Sequence, residues 1–451
     1  MQNGILVYST KLSPRLRYIL NIVFKDTFGI DYQLTQSIEE FENSHLPKFN
    51  YSTQKFNKEN IKLSPATLLF EYGIKDHLIE VHSNSQYNKL FFKNSQGDLP
   101  FDILAASFWL LSRYEEYLPF MPDKFNRFEV KNSLAYQYNF IDFPIVNLWL
   151  EEFKKLLQNK FPTLKFKTHQ FKFISSIDID NAYKYKHKGL MRSMGGYLKS
   201  IVKRDFPELK ERASVVLNKK PDPFDSYNFL LELQKKYNLK VLFFFLLGDY
   251  GVNDKNHPSN NFDFQALIKH LADYTDIGIH PSFKSNNSIN QLKIEINRLA
   301  NITHRDIKNS RQHFAILKFP ETYQSLLQSG ITNDYSMGYG NCNGFRAGFC
   351  MPYNWYDLDA EIETALMVHP FCIIETTLRY NNGANAQNAA TFALPIINEV
   401  KKYNGELISI FHNDTLGEVP DWKGWKDVYE SFVKEVKSQK SEVKSEIGLT
   451  N

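Results

Sequence analysis

The chain is short of cysteine, of long apolar runs and of surplus charge, and each shortage removes a class of protein. Three cysteines in 451 residues, Cys342, Cys350 and Cys372, are too few and too oddly numbered for a disulfide framework, and their spacing forms no CxxC metal clip. That usage fits a reducing compartment, and the expected location is cytoplasmic. The opening MQNGILVYSTKLSPRLRYIL lacks the early basic segment, unbroken apolar core and small-residue cleavage site of a secretory leader, so export by the usual route is not expected. The longest purely apolar run, Val241 to Leu247, falls far below the roughly 20 residues that cross a bilayer, so no transmembrane segment is expected. Against 50 acids stand 54 lysines and arginines, and a formal surplus of +4 disfavours nucleic acid as a partner.

What is present is ordinary globular composition, 43% apolar and 23% charged, with an aromatic content of 15% that fills a large core or lines a cleft. Residues 1–165 read as a smaller amino-terminal α/β domain. It has a strand-like start (Gly4 to Tyr8), asparagine-rich loops, a helix over Phe101 to Tyr117 behind Pro100, and a second helix over Pro144 to Leu157. No metal or triad pattern gathers there, and the group Arg113, Glu115 and Glu116 reads as structural or solvated charge. Partner docking, substrate selection and support of the second domain all suit it.

From about residue 166 the texture changes to short apolar runs separated by helical periods. The runs are Phe171 to Ile177, Val241 to Leu247, Ile277 to Ile279, Phe345 with its neighbours, Phe371 to Ile374, and Leu407 to Phe411. The helical stretches include Ser226 to Tyr237, Phe264 to Tyr274, Ile289 to Leu299 and Pro320 to Leu327. Fully apolar strands alternating with helices predict a parallel sheet covered on both faces, with enough units to close or nearly close a barrel. The expected division is 1–165, a barrel over 166–432 with a basic insertion at 183–220, and a charged tail over 433–451, a frayed helix followed by disorder.

Polar residues stand immediately after several of these runs: Asp178 and Asp180, His280, Arg311 and His313, Arg346, and His412. In parallel α/β barrels the carboxyl ends of the strands share one mouth, so these residues are expected to converge. Asp178 and Asp180 lie two apart on a strand and point to one face, where their repulsion needs a cation, an arginine or a proton. Carboxylate with imidazole suits one divalent ion, Zn²⁺ foremost, with a position open to water, and Asp180 and His280 are the leading metal ligands. The chemistry implied is hydrolysis, with Asp178 taking a proton from water, Arg311 or Arg346 keeping it ionised, and His412 protonating the leaving nitrogen.

The order SIDID, GIHPS, an arginine-bearing strand end and a last apolar strand ending in histidine resembles the polysaccharide deacetylases, the NodB-homology group of carbohydrate esterases. The resemblance spans roughly residues 170 to 420 and implies a distorted (β/α)7 barrel holding one divalent metal and removing acetyl groups from sugars. It places the general base on Asp178, metal ligands on Asp180 and His280, the arginine that orients the base on Arg311, and the acid on His412. The pattern departs at Lys284, where the family's motif has a second histidine; a charged ammonium cannot bind metal. His313, also at a strand end, is the candidate third ligand. DPFDSYNFL, SRQHF, GFRAG and WKGWKDVYE add a likeness to a bacterial subgroup that carries an extra amino-terminal domain.

Arg346, Tyr353 and Trp355 read as a substrate wall, with rings to stack on a sugar and an arginine to grip an anion. The insertion, with eleven basic residues against three acids, reads as an amphipathic basic helix forming a solvated lid or a peripheral membrane contact for a lipid-linked glycan. The expected function is a metal-dependent hydrolase that removes acetyl groups from an acetamido sugar of a polysaccharide or glycolipid precursor. The rivals are a glycan-binding protein on a degenerate barrel and a hydrolase of another non-peptide C–N bond.

Overall fold

The computed structural model describes residues 3–438 except 95 and 418. Its amino-terminal part is built on a parallel sheet of β1 (Gly4–Ser9), β2 (Asp31–Thr35), β3 (Lys48–Tyr51) and β4 (Ile61–Leu63), in the order β2-β1-β3-β4. The central strand β1 is buried at every residue, as expected of a parallel strand covered on both faces. A hairpin of β5 (His82–Asn84) and β6 (Asn88–Leu90) precedes the helices Ile103–Leu111 and Ile145–Lys160. The first of these is shorter than its apolar run. Arg113 adopts a left-handed backbone, φ 56°, which ends the helix and leads into the 3-10 turn Tyr114–Glu116.

The large sheet contains β7 (Lys172–Ile179), β8 (Lys240–Phe245), β9 (Asp276–Ile279), β10 (Asn309–Ser310), β11 (Asn333–Asp334), β12 (Tyr353–Asp357), β13 (Ile362–Val368), β14 (Ile373–Ile374) and β15 (Glu406–His412). Their order is β12-β13-β11-β10-β9-β8-β7-β15-β14, parallel throughout except for β12 against β13. β13 pairs with β11 and β14 pairs with β15, so the short link 369–372 carries the chain from one edge of the sheet to the other. Along that link His369 N–H donates to the Asp334 carbonyl and Cys372 N–H to that of Ile408. β13 and β14 thus share one strand position, and the sheet wraps into the distorted seven-position barrel that the sequence predicts, with β12 as an antiparallel outlier.

Alternation along the strands separates an outer core, beneath the helices, from a small inner one. Ile174, Leu242, Phe244, Phe371, Ile408 and Ile410 fill the barrel. The next inward positions on β7 and β15 are Ser176, Asp178 and His412, so polarity begins where the barrel opens. Gly278 on β9 makes room for this packing, since a Cβ there would sit 2.5 Å from the Phe244 ring.

Two expectations are corrected. The segment around Phe345 is not a strand: Gly344 has φ 129°, and Phe345 N–H donates to the Ile141 carbonyl at 2.8 Å, docking this stretch on the amino-terminal part. The charged tail from 433, expected as a frayed helix followed by disorder, is instead packed helix through Lys437, with Val433 and Val436 buried in the helix Trp425–Lys437. The rest of that tail, 439–451, lies outside the described residues. Among the described residues no helix is long and apolar enough to cross a membrane.

The two parts meet through buried charge. Arg346 donates through Nε and Nη2 to Glu116, which also accepts from Arg113 Nε at 2.8 Å, and Arg113 Nη1 donates to the Arg346 carbonyl. Burial opposes ionisation of Glu116, yet the guanidiniums of Arg346 and Arg113 hold its carboxyl below the usual range. Removing one member leaves the others charged and dry, which costs about 3–5 kcal/mol. Glu116→Gln is expected to lower the urea midpoint of unfolding accordingly. A shift no larger than that of Lys131→Gln, which breaks an exposed pair with Glu129, would refute this account.

Candidate metal centre

Strand register assembles the site. β15 lies beside β7 with His412 level with Asp178, and β10 lies beside β9 so that Arg311 follows directly alongside His280. Asp178, Asp180, His280, Arg311, His313 and His412 all line one cleft of about 320 Å³ at the carboxyl ends of the strands. The sequence-predicted convergence is therefore present for these six residues.

Within the cleft, Asp180, His280 and His313 present ligand atoms that lie within 4.8 Å of one another and could hold a metal ion. His280 Nε2 is 3.1 Å from Asp180 Oδ1, and His313 Nε2 is 3.3 Å from Asp180 Oδ2. The far sides of both rings are anchored. His280 Nδ1 meets the Arg311 carbonyl at 2.5 Å, which fixes the proton on Nδ1 because a carbonyl only accepts. His280 Nε2 therefore faces a carboxylate oxygen, where a proton or a metal ion would bridge the two atoms.

His313 Nδ1 meets Asp254 Oδ1 at 3.0 Å. Burial opposes charge on His313, but the carboxylates of Asp180 and Asp254 outweigh it and push the imidazole up to about 9. In turn, although burial opposes its charge, Asp180 is held well below the usual carboxylate range by His313 and His280. The field that holds a proton at this point also favours a divalent ion. The donor set of one carboxylate and two imidazoles, each imidazole backed by an oxygen acceptor, fits such a group. Lys284 is exposed on the turn Lys284–Asn287 and does not line the cleft; the second imidazole that faces Asp180 is His313, on the 3-10 turn His313–Ala315 that follows β10.

Two further groups flank this triad. Asp178 is nearly inaccessible, with Oδ1 3.9 Å from Arg311 Nε and Oδ2 3.9 Å from His280 Nε2. Arg311 is itself buried, donates to Ser176 Oγ at 2.8 Å, and lies over the rings of Phe244 and Phe371. Across the cleft, His412 Nδ1 meets Glu375 Oε1 at 2.6 Å, and the same oxygen accepts from His412 N–H and the Thr415 hydroxyl. This leaves His412 Nε2 toward the cleft, 4.0 Å from Asp180 Oδ2. Burial opposes a charged ring there, and Glu375, then Asp180 and Asp178, raise it well above the usual histidine range.

The predicted substrate wall is corrected. Arg346 points away from the cleft into its pair with Glu116. Trp355 is buried against Tyr323, and Tyr353 borders a different cleft at the amino end of the barrel, with Lys25, Lys167 and Glu406. These residues pack because β12 is the outlying strand rather than a barrel position. The aromatics that do line the site are Phe314, Tyr380 and Trp422, the last two with ring centroids 5.6 Å apart, and Arg127 reaches in from the amino-terminal part. Sequence reasoning also missed Asp254, Glu375 and Asp414, the last pushed up to about 6 by burial. The acids near the strand ends were a usable signal for Glu375, which directly follows β14, but Asp254 sits in an irregular loop with no pattern to mark it.

Protein purified without chelator is expected to carry about one equivalent of divalent metal. Asp180→Ala, His280→Ala and His313→Ala should each abolish it, and Asp254→Asn should weaken it about 10- to 100-fold by freeing the His313 ring. Metal retained in full by His313→Ala would remove it from the ligand set.

Comparison with known proteins adds the following. Residues 5–162 match a family described as a family of unknown function, DUF7033. No curated protein matches the chain. Among solved structures, similarity is found to a Mycobacterium smegmatis protein described as a polysaccharide deacetylase (12% identity, 61% of this chain and 87% of that one, TM-score 0.38). A polysaccharide deacetylase of Bacillus cereus is similar at 14% identity over 59% of this chain and 88% of that one, TM-score 0.30. A CE4 family pseudoenzyme of Bacillus anthracis is similar at 10% identity over 60% of this chain and 62% of that one, TM-score 0.30. Residues 5–162 thus match the DUF7033 model, and the solved structures found similar to the chain are described as polysaccharide deacetylases and as a CE4 family pseudoenzyme.

Proposed function

We propose that the protein is a metal-dependent hydrolase that removes acetyl groups from an acetamido sugar of a polysaccharide or glycolipid precursor. The observation that carries this reading is the placement of Asp178, backed by Arg311, and of His412, backed by Glu375, on either side of the Asp180, His280 and His313 triad. Asp180, His280 and His313 would hold a divalent ion, Zn²⁺ being the best match to these donors, and such an ion when bound would lower the pKa of water toward 7 and polarise a carbonyl.

The chain's own groups do the rest. Asp178 accepts the proton of the attacking water, with the Arg311 guanidinium beside it. His412, held protonated by Glu375, donates from Nε2 to the amide nitrogen as the C–N bond breaks. The products are acetic acid, which ionises to acetate in solution, and an amino sugar; Asp178 gains the one proton that His412 loses, and exchange with solvent resets both groups. Trp422 and Tyr380 supply flat faces for a sugar ring at the cleft wall.

The test is release of acetate from a panel of acetamido sugars. Asp178→Asn and His412→Gln are each expected to lower turnover about 10²- to 10⁴-fold while leaving metal content near one equivalent. Wild-type protein that binds metal and glycans but releases no acetate would instead establish the glycan-binding reading. Cleavage confined to non-sugar amides would establish the other hydrolase.

A further inference from the structure

The basic insertion is folded, and its exposed face is apolar. It forms two helices, Leu190–Val202 and Phe206–Val216, between β7 and β8. On the first, Leu190, Met191, Met194, Leu198, Ile201 and Val202 are all exposed, from 53% for Met194 to 83% for Met191. At about 100° per residue these six fall within an arc of about 120°, so they form one continuous stripe. The opposite side packs inward: Ser200 is buried, and Tyr197 lies under the Arg212 guanidinium of the second helix. Phe206 extends the exposed apolar surface at the start of that second helix.

Charge is concentrated in the same place. Residues 183–220 hold eleven lysines and arginines and three acids, whereas the remainder of the chain has 43 basic and 47 acidic residues. The chain's whole positive surplus therefore resides here. The three acids are already engaged: Asp205 caps the second helix, Glu208 pairs with Arg212, and Glu211 with Lys184 and Tyr185. Lys199, Lys203, Arg204 and Lys219 are exposed and form no ion pair among the described residues.

We propose that this helical hairpin docks the protein on the surface of an anionic lipid bilayer, the apolar stripe entering the headgroup boundary and the flanking bases meeting lipid phosphates. A second copy of the chain fits the face poorly. A symmetric interface would oppose two segments of the same strong positive charge. The docked end is also the end that bears the metal centre, because the hairpin leaves β7 just beyond Asp180. Arg192 on the first helix donates to the carbonyls of Asn256 and Lys255 and lies 4.1 Å from the Tyr250 ring centroid. Asp254 in that loop holds His313. The hairpin is thus seated on the segment that orients a metal ligand.

The experiment is cosedimentation of the full chain with vesicles of phosphatidylcholine alone or mixed with phosphatidylglycerol. Binding is expected only to the anionic vesicles and should fade at high salt. It should fall about tenfold or more in Leu198→Glu/Ile201→Glu, which breaks the stripe, and likewise in Lys199→Gln/Lys203→Gln/Arg204→Gln, which keeps it. None of these residues touches the catalytic cleft, and thermal unfolding of both variants should match the wild type. Absence of wild-type binding to anionic vesicles at low salt would overturn the proposal. So would a lipid-free dimer, seen by analytical ultracentrifugation, that the Leu198→Glu/Ile201→Glu variant abolishes. Neither readout depends on acetate release, so this proposal and the assigned reaction stand or fall separately.

Discussion

Two carboxylates enclosed at the mouth of a barrel set the terms for everything around them. Asp178 and Asp180 lie two residues apart at one strand end, and placing both near a low-dielectric interior without compensation would be costly. The surrounding structure answers each separately. Asp178 has a buried guanidinium beside it, while Asp180 has two imidazole edges aimed at its oxygens. Their surroundings therefore differ: Asp178 faces a guanidinium, and Asp180 belongs to the triad that could hold a metal ion. Every imidazole in the cleft is backed by an acceptor on its other nitrogen, the Arg311 carbonyl for His280, Asp254 for His313 and Glu375 for His412. Such backing fixes ring orientation as well as charge.

The barrel interior makes that arrangement rigid. Arg311 lies over two aromatic rings that belong to the inner core, Phe244 and Phe371, and Phe244 is admitted by Gly278. The guanidinium beside Asp178 is therefore held by the same packing that fills the barrel. Closure matters for the same reason. Phe371 lies in the link that joins the two edges of the sheet, so the ring against Arg311 and the continuity of the barrel depend on one short stretch of chain.

How much of this could be read in the sequence followed from how regular the underlying element is. Strand ends were legible because apolar runs such as Val241 to Leu247 stop abruptly, and a polar residue after the stop has one direction to face. This located Asp178, Asp180, His280, Arg311 and His412 in one cleft, and it located His313 despite the unfamiliar spacing. The same logic misled at Arg346, Tyr353 and Trp355. GFRAG looks like a strand end, but two glycines with positive φ bend it against the amino-terminal part, and Tyr353 and Trp355 belong to an antiparallel strand outside the barrel. Asp254 left no trace in the pattern because its position is set by a loop, held by Arg192 from a helix some sixty residues earlier in the chain.

The amino-terminal part contributes more to the site than a scaffold at a distance would. Arg127 is held by Asp123 and donates from Nη1 to the Phe314 carbonyl at 2.6 Å, and Phe125 stacks on the Phe314 ring at 4.9 Å. Phe314 has a left-handed backbone, φ 59°, a conformation costly for a bulky side chain, and its ring stacks on His313 at 4.1 Å. The residue that turns the chain so that His313 faces Asp180 is thus clamped by side chains from the other part of the molecule. Together with the buried Arg113, Glu116 and Arg346 network, this contact makes the cleft a product of both parts: loosening their junction would free Phe314 to relax, and with it His313, the imidazole of the triad whose position the barrel strands alone do not determine.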